Sequence, residues 1–135
     1  MLPRVLVIDD EIRLAKNIRV YLSRYEFDVQ VANSGLEGLE IFAAFQPDIV
    51  LLDFKLPDID GLEVLGRLRA TGTKAHIILM TGQGSTEVAV AAMKAGACDY
   101  LSKPLVLKDL KNLLEALSGK GSHEAAANGI RTNGP

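Results

Sequence analysis

The chain has one cysteine, no tryptophan, and only four phenylalanines and three tyrosines among its 135 residues. A single thiol, Cys98, excludes an internal disulfide, and its expected place is that of a small buried residue entering a strand. The two histidines, His76 and His123, have no cysteine or histidine partner at ligand spacing, which excludes the common zinc sites. Neither sign of charge is in large excess: 15 basic against 17 acidic residues leave a formal net charge of -2, so no global basic field exists to attract nucleic acid to this chain directly. Apolar runs are all short of the roughly 18 residues of a membrane span, and the run after Arg4 is too short for a secretory leader. A cytoplasmic protein without a membrane partner is the expectation.

What the sequence does have is 48% hydrophobic residues, gathered into four short runs that each end in a polar residue. Val5 to Ile8 ends in Asp9-Asp10, Ile49 to Leu52 in Asp53, Ile77 to Met80 in Thr81, and Tyr100 to Ser102 in Lys103. Between them lie amphipathic stretches: Leu14, Ala15, Ile18, Leu22 and Tyr25 share one helical face between Glu11 and Tyr25. Phe27, Val29 and Val31 alternate with polar residues, the pattern of a half-exposed edge strand. Ser34 with Glu37, and Asp60 with Glu63, have the spacing of capping boxes. Leu107, Leu110, Leu113, Leu114 and Leu117 mark a last helix. The expected architecture is a single α/β domain over residues 1–118, a flavodoxin-like (βα)5 unit with a parallel sheet in order 2-1-3-4-5 and helices on both faces. Residues 119–135 carry four glycines and one large aliphatic residue and are expected to be a disordered linker, a tail or a cloning remnant.

In a parallel sheet the carboxyl ends of the strands share one edge, so three acids, a hydroxyl and an ammonium are expected in one crevice. Three carboxylates there repel by roughly 3 kcal/mol per pair at about 5 Å and an effective dielectric near 20. A hard divalent cation relieves that repulsion, and magnesium suits a few carboxylates, a backbone carbonyl and waters. A phosphoryl donor completes the set: a carboxylate nucleophile, with Lys103 and the Thr81 hydroxyl on the phosphoryl oxygens, amounts to an aspartyl-phosphate site.

The segments V-L-V-I-D-D-E at 5–11, L-L-D-F-K-L-P-D-I-D-G at 51–61, M-T-G at 80–82, A-M-K-A-G-A-C-D-Y at 92–100 and K-P at 103–104 together resemble the receiver domain of two-component response regulators. The resemblance covers about residues 3–118, and the M-T-G-Q-G and A-M-K-A-G-A segments look most like receivers of the nitrogen-regulation or nodulation type. It implies that Asp53 accepts a phosphoryl group from a histidine kinase or phosphotransfer protein. It implies that Asp10 binds Mg²⁺ directly, Asp9 largely through water and Lys55 through its backbone carbonyl, with Mn²⁺ able to substitute. The resemblance further implies that Lys103 pairs with the phosphoryl group and that Thr81 and Tyr100 form the switch pair, and in the family a cis bond often precedes the proline matching Pro104. Such a protein is not a turnover enzyme; it catalyses only its own phosphorylation and dephosphorylation, and passes the signal to an output domain or effector protein.

Lys55 and Gln83, each two residues past a site residue, are expected to modulate the lifetime of the aspartyl phosphate. The run Val88 to Met93 has no polar side chain, so part of it faces outward and suits a phosphorylation-dependent homodimer. Val88, Val90 and Ala91 are its expected apolar interface, with Lys94, Asp99, Lys111 and Glu115 at a polar rim on the fourth helix, last strand and last helix. Taken singly, each site residue has an ordinary explanation; Asp9 or Asp10 can simply cap a helix. Three rival readings remain. A haloacid-dehalogenase-type phosphohydrolase needs D-x-D-G-T directly after a strand, and here D-x-D-G lies in a loop. A flavin binder needs a glycine- and hydroxyl-rich phosphate loop where this chain has two aspartates. A receiver-shaped interaction module without phosphorylation is opposed by the complete set Asp9, Asp10, Asp53, Thr81 and Lys103. Asp58-Ile59-Asp60-Gly61 imitates a calcium loop, but the EF-hand register puts Leu56 and Arg67 at ligand positions.

Overall fold

Continuous Val, Ile and Leu runs suit strands buried on both faces, because each side of a central parallel strand meets a helix layer. The computed structural model describes residues 1–82 and 86–119. Along the chain it has β1 (Arg4–Ile8), α1 (Ile12–Ser23), β2 (Asp28–Ala32), α2 (Gly35–Phe45), β3 (Ile49–Asp53), α3 (Gly61–Ala70), β4 (His76–Thr81), α4 (Thr86–Lys94), β5 (Asp99–Ser102) and α5 (Leu107–Ser118). All strand pairs are parallel, in the order β2-β1-β3-β4-β5, as the sequence pattern predicts. The unit Met1–Leu105 holds the sheet and α1 to α4; a second unit begins at Val106 and holds α5, with Leu110 and Leu114 its buried residues. The expectations for the tail concern residues 120–135, which lie outside the described residues.

Alternation along the strands sends successive side chains to opposite faces. Leu6, Ile8, Val50, Leu52, Ile77 and Leu79 form one core cluster with Phe42 and Phe45 of α2, Val64, Leu65 and Leu68 of α3, and Ala92 of α4. Ala15, Ile18 and Leu22 are the buried stripe of α1, the helix that packs against β1 and β2. Each fully buried Leu or Ile contributes about 1.5–3 kcal/mol. The first helix is shorter than its apolar face predicts: it ends at Ser23, and Tyr25 is exposed, its ring 5.2 Å from that of Tyr21.

Caps set where the helices begin relative to the strand ends. Ser34 accepts from the Glu37 amide, but the Glu37 carboxylate reaches one residue further than a standard capping box and takes the Asn33 amide. Asp60 accepts from the Glu63 amide as predicted, whereas the Glu63 carboxylate pairs with Arg67 one turn on. Helix α2 ends on Gln46, a left-handed residue at φ 54°, just before Pro47.

Candidate functional site

Register alone brings the site together. Ile8 lies opposite Leu52, so Asp9 and Asp53 leave the two central strands side by side, where the strand order reverses. Asp53 lies opposite Met80, and Thr81 opposite Ser102, which places Thr81 one residue beyond the acid and Lys103 one residue beyond Ser102. The Lys103–Pro104 peptide is cis.

Carboxylate oxygens of Asp9, Asp10 and Asp53 all lie within 4.8 Å of one another. Asp9 is fully buried; its Oδ1 accepts from the Glu11 amide at 2.9 Å, and its backbone is tied to Ala32 and Asn33. Asp10 is exposed and Asp53 is buried. The Lys103 ammonium stands between the acids, 2.6 Å from Glu11 Oε1, 2.9 Å from Asp9 Oδ2 and 3.4 Å from Asp53 Oδ1. Its approach to Asp9 Oδ2 is close enough for an ion pair but does not have the alignment of a hydrogen bond, and among the described residues no donor satisfies that buried oxygen.

These charges set the ionisation of the site. Burial, then the charge of Asp9, raises the Asp53 carboxyl from 3.8 to about 6, against the opposing pull of Lys103. Burial alone lowers Lys103, but its hydrogen bond to Glu11, its close ion pair with Asp9 and the charges of Asp9 and Asp53 outweigh burial and push it upward. The donor set fits a hard divalent cation: three carboxylates converge, all ligand atoms are oxygens, and one buried oxygen has no hydrogen-bond donor. Beside it opens a cavity of about 370 Å³ lined by Asp10, Asp53, Lys55, Thr81 and Lys103 among others, large enough for a phosphoryl group. Thr81 is buried at its wall, and Tyr100 is half-buried against the core cluster.

The loop after Asp53 is pinned from three sides. The Phe54 amide donates to Met80 O, and the Gly61 amide donates to Phe54 O, each at 2.8 Å. A Cβ on Gly61 would stand 2.4 Å from Asp53 O and 2.8 Å from Phe54 Cα, so α3 starts this close to Asp53 only with glycine there. Asp58 accepts from the amides of Gly35 and Leu36, both at 2.8 Å, and so ties the loop to the first turn of α2. The acids of the imitation calcium loop therefore hold helix starts.

Of the residues expected at the site, Asp9, Asp10, Asp53, Lys55, Thr81 and Lys103 lie together at this edge; sequence reasoning missed Glu11, Asp58 and Gly61 as their neighbours. Glu11 was legible as the residue after the acid pair. Asp58 had no local signal, since its partners lie 22 and 23 residues away. Cys98 corrects its expectation: it is exposed, because it lies in the turn before β5, where its backbone amide is tied to Ile77 O. On α4, Val90 and Met93 are exposed, Val88 and Ala91 are partly buried and Lys94 is exposed. Asp99 accepts from the Tyr100 amide, and Lys111 and Glu115 face each other within α5 at 3.8 Å. Gln83 lies outside the described residues.

Residues 5–115 match the family model of the response regulator receiver domain. The chain is 38% identical over 127 residues to response regulator MprA of Mycobacterium leprae, covering 94% of this chain and 56% of that protein. It thus spans about half the length of the curated relatives it matches. Its fold superposes with a TM-score of 0.83 on the signal receiver domain of a LuxO repressor protein from Vibrio parahaemolyticus, at 28% identity and covering 96% of this chain and 99% of that one. A response regulator of Burkholderia pseudomallei, whose crystal structure has a phosphorylated aspartic acid, a calcium ion and citrate, superposes with a TM-score of 0.78 at 29% identity, covering 97% of this chain and 75% of that one. The relatives are named MprA, so the nitrogen-regulation or nodulation likeness stays an expectation. With a family model spanning most of its length and the sheet order and strand-end residues of that fold, this chain belongs to the response regulator receiver domains.

Proposed function

We propose that this chain is a phosphorylation-controlled switch of a two-component pathway in which Asp53 accepts a phosphoryl group from a histidine kinase or phosphotransfer protein. The observation that carries this reading is a buried carboxylate, Asp53, flanked within 4.8 Å by two further acids and at 3.4 Å by an ammonium, facing an open cavity. In the transfer, an Asp53 carboxylate oxygen forms the new O–P bond with its lone pair. The donor's P–N or P–O bond breaks, and its electrons leave with the imidazole or, for acetyl phosphate, with acetate. Asp53 acts as the anion, so the positive charge of Lys103 is needed to oppose burial and Asp9. Lys103 and the Thr81 hydroxyl receive the phosphoryl oxygens. Asp9, Asp10, Asp53 and the Lys55 carbonyl would hold Mg²⁺ or Mn²⁺, which when bound would neutralise acid and phosphoryl charge.

The side chain of Lys55, exposed at the cavity, and that of Gln83 modulate hydrolysis of the product. Phosphorylation biases the Thr81 and Tyr100 pair and, through it, a contact surface on α4 and β5 that serves a homodimer, an output domain or an effector protein. The Burkholderia regulator, with its phosphorylated aspartic acid and calcium ion, supports both halves of the reading. Intact-mass measurement after incubation with acetyl phosphate tests it. One phosphoryl adduct is expected with Mg²⁺ and none in EDTA or in Asp53→Asn; an adduct that survives either change overturns the assignment.

A further inference from the structure

Glu11 is the acid at this edge that the expected site did not include. It occupies the N-cap position of α1, yet its side chain makes no capping bond. Its carboxylate turns instead to Lys103, and at 2.6 Å that contact is the shortest of the ammonium's three. The closest partner is also the most exposed one: the Glu11 side chain is 59% exposed, those of Asp9 and Asp53 0% and 7%. Meanwhile Asp9 Oδ2, buried and 2.9 Å from the same ammonium, has no hydrogen bond from it. A buried carboxylate oxygen left in that state is costly unless another cation meets it.

We propose that Glu11 is a positioning residue that acts through Lys103: as a counter-ion at the rim, it draws the ammonium outward and leaves the Asp9 and Asp53 oxygens open to a divalent cation. This rests on the reading of the acidic cluster as a metal site. The ammonium touches two of the three acids that would hold the metal, so the two cations would compete for them. With Glu11 present, a displaced ammonium keeps a partner. Without it, the contacts of Lys103 among the described residues are Asp9 and Asp53, and a metal would have to displace a cation held by those acids alone. Loss of one negative charge at the rim also weakens metal binding directly, but that influence does not pass through Lys103. A double-mutant cycle separates the two routes.

The measurement is Mn²⁺ binding by the full 135-residue chain, read from the electron paramagnetic resonance signal of the free ion at constant ionic strength. Parent, Glu11→Gln, Lys103→Met and the double variant are compared, with circular dichroism melts to confirm folding. Glu11→Gln is expected to bind Mn²⁺ about two- to fivefold more weakly, the range of a partly exposed ion pair. Lys103→Met is expected to bind more tightly than the parent, and in that background Glu11→Gln is expected to have little effect. Parent-like binding by Glu11→Gln, or an undiminished loss in the Lys103→Met background, overturns the role of Glu11 and leaves the metal site intact. A parent chain that takes up no Mn²⁺ overturns both, whereas failure of Asp53 to take up phosphate beside normal Mn²⁺ binding counts against the switch alone.

Discussion

Asp53 is held in a state that its own chemistry disfavours. Its folded-state value of about 6 lies above the ordinary 3.8, so the native chain binds more protons than the unfolded one between those values. Stability falls as pH rises through that window, and the penalty is fully present above it. In the metal-free chain, Asp53→Asn is therefore expected to raise stability at pH 7.5 by about 1–2 kcal/mol, after allowance for screening at the cavity mouth. The gain is expected to shrink as pH falls through 6 and to vanish near 4. Urea midpoints in EDTA across that range check it, and a gain independent of pH means that something other than Asp53 ionisation is at work.

At the scale of elements, the loop between β3 and α3 owes its shape to α2. Asp58 accepts first from Leu36, then from Gly35 and Ile59, and these bonds hold its carboxyl below the ordinary 3.8. The helix dipole works in the same direction. A depressed carboxyl contributes stability above its unfolded value and loses that contribution as pH falls through its folded value. Asp58→Ala is accordingly expected to unfold more easily than the parent at pH 7, with the difference closing below pH 3.8; denaturant midpoints at several pH values decide it. Gly35 makes the contact possible, since a Cβ there would meet Ile59 Cγ1 at 2.6 Å. Helix α4 presents the opposite case, with Val90 and Met93 47% and 49% exposed. Exposed large apolar residues on adjacent turns suit a face that is covered in another state. Val90→Glu is expected to abolish the rise in mass that light scattering detects when the parent is treated with Mg²⁺ and beryllofluoride. No rise in the parent, or one that survives the substitution, removes this helix from self-association.

For the molecule as a whole, the sequence was most legible where one physical rule acts alone. Continuous apolar runs such as Val5–Ile8 and Ile49–Leu52 have to be buried on both faces, and the alternation of Val29 and Val31 suits one exposed face, so strand order followed from burial. The site was legible for the same reason: residues that end parallel strands meet at one edge whatever the loops do. Contacts between side chains and distant backbone were not legible. Asp58 reaches α2, and Arg69 bonds Gly96 O across 27 residues, without a periodic or local mark in the sequence. Gln46 takes the left-handed conformation in which glycine is usual, because the close of α2 before Pro47 overrides its preference. Cys98 was misread because a small apolar residue before a strand suggests the core, while the turn ahead of β5 carries its side chain outward.

That outward cysteine gives the chain a built-in reporter. It is the one thiol in the sequence and stands between the end of α4 and the start of β5. Desolvation of the sulfur, then the charge of Asp99, pushes the thiol above its ordinary value. Because the thiolate is the nucleophile, attachment of a maleimide label proceeds slowly at neutral pH and faster as the solution is made alkaline. A fluorophore or spin label joined there occupies a single known position in the unaltered sequence. It lies on the connection that any displacement of α4 relative to β5 must bend.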